Sequence, residues 1–144
     1  IERVTPWFET PSNLTLMTPP FMRFKILSQQ PMERNAEMTY CIQLFGFPMR
    51  WTSRIPIFER GVRFVDTQAR GPYRLWWHEH VFESAPGGTW ITDTVHYRIP
   101  LGLLGRLVHR VWIRSTLQNI FVYREHTMHS RFCVAVSETK RISA

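Results

Sequence analysis

Residues 71–100 read GPYRLWWHEHVFESAPGGTWITDTVHYRIP. Two runs rich in aromatic and β-branched residues flank Ala85-Pro86-Gly87-Gly88, and a Pro-Gly-Gly step continues neither a strand nor a helix. The stretch therefore reads as a long β-hairpin. Setting Ser84 opposite Thr89 fixes the other pairs, because residues directly opposite in an antiparallel ladder share a face. On one face Phe82 meets Ile91, His80 meets Asp93, His78 meets Val95 and Trp76 meets Tyr97. The other face pairs Val81 with Thr92, Glu79 with Thr94, Trp77 with His96 and Leu75 with Arg98. A slip of one residue would part His80 from Asp93, so that pair depends on this register. An apolar face with a few convergent polar groups has the chemistry of a ligand pocket.

Upstream, further strands are expected. Residues from Phe21 to Leu27 alternate apolar with basic side chains, and 28–35 is a polar turn around Pro31. Ala36 to Phe45 alternates again, and Gly46-Phe47-Pro48 connects it to Met49–Phe58, where Trp51, Ser53, Ile55 and Ile57 share a face. Pro56 in that run predicts a bulge or an edge. Arg60-Gly61 turns the chain into Val62–Ala69. Strands joined by short turns, with no helix between them, give an antiparallel meander. Before them, Ile1, Val4, Trp7 and Phe8 fall at helical spacing up to Pro11. Ser12 or Asn13 is placed to cap a second short helix through Leu14, Leu16 and Met17.

After Pro100 the period changes from two to 3.6. Leu103, Leu107, Leu117, Phe121, Met128 and Phe132 lie on one stripe, and no Gly or Pro interrupts from Arg106 to Phe132. The spacing predicts a helix over 103–132, about seven turns in its uninterrupted part. Arg110, Arg114 and Glu125 also project within the apolar sector, and Arg114 is the candidate to reach a cavity. Residues from Ser137 to Ala144 read as a frayed tail. One long helix is available to cover the sheet, and a twisted sheet curled around it solves the burial problem. The expected class is α+β, with residues 1–144 forming one domain.

Composition narrows the function. Apolar residues make up 44% of the 144 and charged residues 20%, a globular balance. Net charge is +7 at pH 7, but the basic residues, all Arg except Lys25 and Lys140, are scattered. No clustered basic motif of a nucleic-acid surface is present, so no nucleic-acid partner is expected. A positive potential suits an acidic ligand or transient contact with an anionic membrane surface. Cys41 and Cys133 form neither a metal spacing nor a disulfide framework, and they read as free, buried thiols in a reducing, cytoplasmic compartment. No apolar run approaches the roughly 18 residues of a membrane span.

The ordered series Leu16-to-Pro20 with Phe21, Arg63-Phe64-Val65-Asp66, Gly71-Pro72-Tyr73, Trp76-x-His78-x-His80-x-Phe82, Thr92-Asp93, Pro100-Leu101-Gly102 with Leu104-Gly105, and Ile120-Phe121 with Tyr123-Arg124 covers nearly the whole chain. It resembles the START-like, helix-grip superfamily (SRPBCC), which includes polyketide cyclase/dehydrase-like and lipid-transfer proteins, and is most similar to its small bacterial members. The resemblance implies a curved antiparallel sheet around a long C-terminal helix, with a hydrophobic or amphipathic small molecule, lipid-like or aromatic and polyketide-like, bound between them. That family usually opens with a strand before its first helix. Here Ile1 already sits where the helix begins.

Within such a cavity the expected lining is Trp51, Trp76, His78, Phe82, Tyr97, Leu117 and Phe121, with His80, Asp93 and Arg114 as polar contacts. His78-x-His80 has a spacing that metal sites use, but two His and one Asp still need a further ligand, so a hydrogen-bonded polar pair is the reading and no metal or other cofactor is expected. A serine elbow and a glycine-rich phosphate loop are both missing. Non-enzymatic binding is the expected function. The alternatives are a cyclase/dehydrase-type enzyme using His80 as acid–base with Asp93 orienting it, and an interaction module on the outer sheet face around Trp77 and His96.

Overall fold

A computed structural model describes residues 1–44, 46–100, 113–132 and 141–143. Two short helices, α1 (Thr5–Phe8) and α2 (Leu14–Met17), precede six strands: β1 (Lys25–Gln29), β2 (Glu37–Leu44), β3 (Phe47–Glu59), β4 (Arg63–Arg70), β5 (Leu75–Ala85) and β6 (Gly88–Arg98). The helix α3 (Arg114–Phe132) and a short β7 (Arg141–Ser143) follow. The sheet order is β1-β2-β3-β4-β5-β6-β7, antiparallel through β6, so every antiparallel pair joins sequence neighbours. The protein is thus α+β, an antiparallel meander with a C-terminal helix.

The β5–β6 ladder has every pair expected from the Ser84–Thr89 register, and it adds Ala85 opposite Gly88. Only Pro86 and Gly87 remain in the turn. Gly87 has φ +75°, and proline followed by a left-handed glycine is the residue order of a type II turn. In β3 the register against β4 shifts between Arg54 and Ile57, so Pro56 lies in a bulge, where its missing N–H breaks no ladder bond. The shift passes the inner face from Ile55 to Phe58. Ile57, expected on the face of Trp51, instead pairs with Val65 on the other side, while Phe58 pairs with Phe64 and packs on the core.

Two expectations at the ends need correction. The first strand begins at Lys25, not Phe21: Pro20–Met22 forms a 3-10 turn, Arg23 adopts φ 44°, and Met22 is buried by that bend. The tail is not frayed throughout, because Arg141, Ile142 and Ser143 pair in parallel with Thr94, Val95 and His96. The N-terminal segment agrees more closely with its pattern. Val4, Trp7 and Phe8 are buried, and Phe8 meets the Phe82 ring edge-on at 5.1 Å, closing one end of the inner sheet face. Asn13 precedes α2, yet its Nδ2 donates to the Trp7 carbonyl (2.9 Å), tying the two helices together and leaving α2 without a side-chain cap.

The described part of the long helix lays Leu117, Phe121 and Met128 into the sheet; Phe132 packs partly on the same core. Each such fully buried side chain contributes about 1.5–3 kcal/mol, which is what docks the helix. Leu103, Leu107 and Arg110, the expected first turns, lie outside the described residues.

Candidate functional site

The inner sheet face, the N-terminal helices and α3 enclose a pocket of about 160 Å³. Its wall is mostly aromatic and aliphatic: Trp51, Trp76, Phe64, Met17, Leu117 and Phe121 are representative. Charged and titratable side chains interrupt it: Asp66, His78 and His80 from the sheet and Arg124 from the helix, with Glu37, Tyr40 and Tyr73 elsewhere along the wall.

Strand register builds the polar floor. Asp66 on β4 lies opposite His78 on β5, and Asp93 on β6 lies opposite His80. The two imidazoles, two residues apart on one strand, share the inner face with ring centroids 3.9 Å apart. Each ring spans both carboxylates. Asp66 Oδ2 is 3.1 Å from His78 Nδ1 and 3.6 Å from His80 Nε2. Asp93 Oδ1 is 2.6 Å from His80 Nδ1 and 3.5 Å from His78 Nε2. On the Asp93 side the contacts are close but misaligned, and His78 Nε2, His80 Nδ1 and Asp93 Oδ1 are buried without an aligned hydrogen bond. On the Asp66 side, Trp76 Nε1 donates to Oδ1 (3.2 Å) and leaves Oδ2 to the histidines.

The electrostatics follow from this packing. Burial pushes the Asp66 carboxyl up, but the two imidazoles outweigh it and hold Asp66 below the usual carboxylate range. Burial likewise opposes ionisation of Asp93, yet the His80 charge and the contacts with both rings hold it well below that range. Burial disfavours a charged His80, whereas the Asp93 charge and the Asp66 contact favour it and leave its pKa raised. Further along the wall, Ser53 Oγ accepts from Trp51 Nε1 (3.1 Å) and lies 3.2 Å from the Tyr40 hydroxyl. Desolvation holds Tyr40 protonated well above its ordinary range, with the Asp66 charge acting in the same direction.

Of the residues expected at the cavity, Trp51, Trp76, His78, His80, Leu117 and Phe121 line it. Phe82 and Tyr97 face inward but do not line it. Phe8 covers Phe82, and Tyr97 packs among Val95, Leu117 and Phe121. Asp93 sits behind the histidines. The Arg114 side chain lies outside the described residues, and the guanidinium that lines the pocket belongs to Arg124. Its Nε is buried without a hydrogen-bond partner, and the group stands 5.6 Å over the Phe121 ring. Asp66 and Arg124 are thus charged pocket-lining side chains that the hydrophobic pattern did not single out. At 3.6 residues per turn Arg124 points only about 20° from Leu117, so the stripe itself carried that signal. Cys41 is a free thiol, half-buried and not fully buried as expected; Cys133 lies outside the described residues. On the outer face Trp77 is half-buried and His96 exposed.

No family model matches the chain, and no curated protein matches it. Among solved structures, the chain is similar to the crystal structure of TTHA0849 from Thermus thermophilus. The TM-score is 0.68 at 14% identity, covering 92% of this chain and 88% of that one. This likeness speaks to the fold alone. Among the described residues no helix is long and apolar enough to cross a membrane.

Proposed function

We propose that the protein is a helix-grip domain of the START-like (SRPBCC) type that binds a hydrophobic or amphipathic small molecule between its sheet and its C-terminal helix. One observation carries this reading: a largely apolar pocket into which Asp66, His78, His80 and Arg124 converge. Apolar walls supply affinity, and a few buried polar groups fix orientation. The volume selects between the lipid-like and aromatic classes. At about 160 Å³ the pocket is close to a cavity known to take a benzene-sized molecule, so a single aromatic ring with a polar head suits it better than a long acyl chain. Arg124, with its unpartnered Nε, is the group to receive a carboxylate or phenolate head.

Trp51 and Trp76 line the pocket, so intrinsic fluorescence reports occupancy. Single-ring aromatic acids should quench it saturably. Arg124→Gln should weaken those acids tenfold to a hundredfold, the loss of one charge-assisted hydrogen bond, while sparing neutral analogues. Absence of saturable binding by either ligand set, together with no small molecule released from freshly purified protein by native mass spectrometry, would exclude the reading.

The His80–Asp93 contact favours a second reading, a cyclase/dehydrase-type enzyme using the same pocket. A carboxylate behind an imidazole orients it and raises its basicity, and the far side of His80 lines the pocket. Turnover of a polyketide-like substrate that vanishes in His80→Ala, with binding retained, would establish it.

A further inference from the structure

We propose that Asp66 Oδ2, His78 Nδ1 and His80 Nε2 form a site for one divalent transition-metal ion of the zinc class, open toward the pocket. This goes beyond the apolar-ligand reading and does not rest on it.

The first argument is the donor set. One donor atom from each of the three residues lies within 4.8 Å of the other two. Two of the three separations are 3.1 and 3.6 Å. A tetrahedral ion with ligand distances of about 2.0–2.1 Å spaces its donors by about 3.3 Å, so two edges already fit. Rotation of the two rings closes the third. Two imidazoles and one carboxylate suit zinc, cobalt, nickel or ferrous ions, and they disfavour calcium and magnesium, which take oxygen ligands.

The second argument is the asymmetry of the two carboxylates. Asp66 lines the pocket and Asp93 does not. Each histidine turns one nitrogen to Asp66 and the other to Asp93. An ion on the Asp66 side therefore leaves the ring protons on the far nitrogens, where Asp93 Oδ1 is within reach of both. Those far atoms are the ones buried without an aligned partner, on histidine side chains only 3% and 5% exposed. Asp66 is itself held, because Trp76 Nε1 takes Oδ1 and leaves Oδ2 as the ligand. Outer partners on both the histidines and the ligating carboxylate are how metal sites fix ligand orientation. The remaining coordination position faces the pocket, where water or the polar head of a bound molecule would occupy it.

The test uses the untagged full chain, stripped with a chelator and dialysed. Zn²⁺ is titrated in competition with a chromophoric chelator, and Co²⁺ is used for its visible spectrum. The expected result is one tightly bound equivalent and an intense four-coordinate Co²⁺ band. Asp66→Asn and His80→Ala should abolish both. Asp93→Asn should keep the stoichiometry and weaken affinity roughly 10–100-fold, the effect of an outer partner. His129→Ala, on an exposed position of α3, should change nothing. Circular dichroism checks that each variant folds. If Asp66→Asn does not fold, the wild-type spectrum decides, since only weak six-coordinate Co²⁺ absorption would overturn the site. Absence of stoichiometric Zn²⁺ binding, or binding undiminished in a folded Asp66→Asn protein, would also overturn it.

Discussion

Leu117→Ala tests the docking of the helix and the position of the pocket in one variant. Leu117 is 4% exposed, packs with Val95, Tyr97, Ile113 and Phe121, and also lines the pocket. Its truncation removes three buried carbons, each worth about 0.8 kcal/mol, which sets a floor near 2.4 kcal/mol. Space left behind adds about 24 cal/mol per Å³, bringing the expected loss to roughly 2.5–4 kcal/mol. Because the site borders an existing cavity, the new space joins it, and a ligand one or two methylenes larger should now be preferred. Urea unfolding followed by far-ultraviolet circular dichroism measures the first effect. Fluorescence titration with a homologous series of aromatic acids measures the second. Val122→Ala, at a site 45% exposed on the same helix, is the internal control and should stay within about 0.5 kcal/mol. A loss below about 1 kcal/mol for Leu117→Ala would mean that the helix does not press this side chain into the sheet. An unchanged size preference would place the binding site elsewhere.

Further outcomes follow from the polar floor and its supports. A Cβ on Gly71 would collide with the Gln68 side-chain amide, and Gln68 holds the β4–β5 connection by accepting from the Tyr73 N–H and donating to its carbonyl. Gly71→Ala should therefore disturb the pairing of Asp66 with His78, read as chemical-shift changes at the His78 ring with β5–β6 shifts largely retained. In metal-free protein, His80 has a raised pKa, so its stabilising contribution is complete below about pH 6.5 and declines as pH rises through the folded value. Asp66 and Asp93 are depressed, so theirs is complete above about pH 4 and is lost on acidification. The described groups facing His80 are Asp66 from β4, Asp93 from β6 and His78 beside it, with Phe8 and Phe64 as apolar neighbours. Stability by urea midpoint, measured with chelator present, should peak between those limits. Asp93→Asn should flatten the alkaline side, and an unaltered profile would show that Asp93 does not set the His80 pKa.

How far the chain could be read without coordinates depended on how locally each feature is determined. The His80–Asp93 pairing was legible because two residues, Pro86 and Gly87, join the strands and leave one register. Asp66 was not. Nine residues, 68–76, separate the last paired positions Thr67 and Trp77, and the register there is set by the Gln68–Tyr73 bonds, which no hydrophobic pattern encodes. Phe82 and Tyr97 were placed on the correct face, but face is a property of a strand whereas depth depends on what packs above it. Phe8 arrives from the far end of the sequence to cover Phe82. At Pro56 the bulge could be anticipated from the missing N–H, but its effect in turning Ile57 away and Phe58 inward required the pairing itself. Arg124 lay at the edge of the apolar stripe, just beyond Leu117, where a long cationic side chain usually lets its head escape to water; only the pocket shows that this one lies inside.

The order of the strands also bears on how the chain emerges from the ribosome. Because β1 to β6 pair in sequence, a nearly complete sheet can assemble behind the exit site before its cover exists. The inner face then presents Trp51, Trp76 and Phe64 without Leu117 or Phe121 to shield them. From Arg98 the chain grows by 34 further residues to complete the helix at Phe132, which at about 5–20 residues per second takes roughly 2–7 s. For those seconds the aromatic surface that becomes the pocket wall is an open, adhesive face. The nascent chain, truncated after β6, should therefore engage chaperones or aggregate where the full-length chain does not.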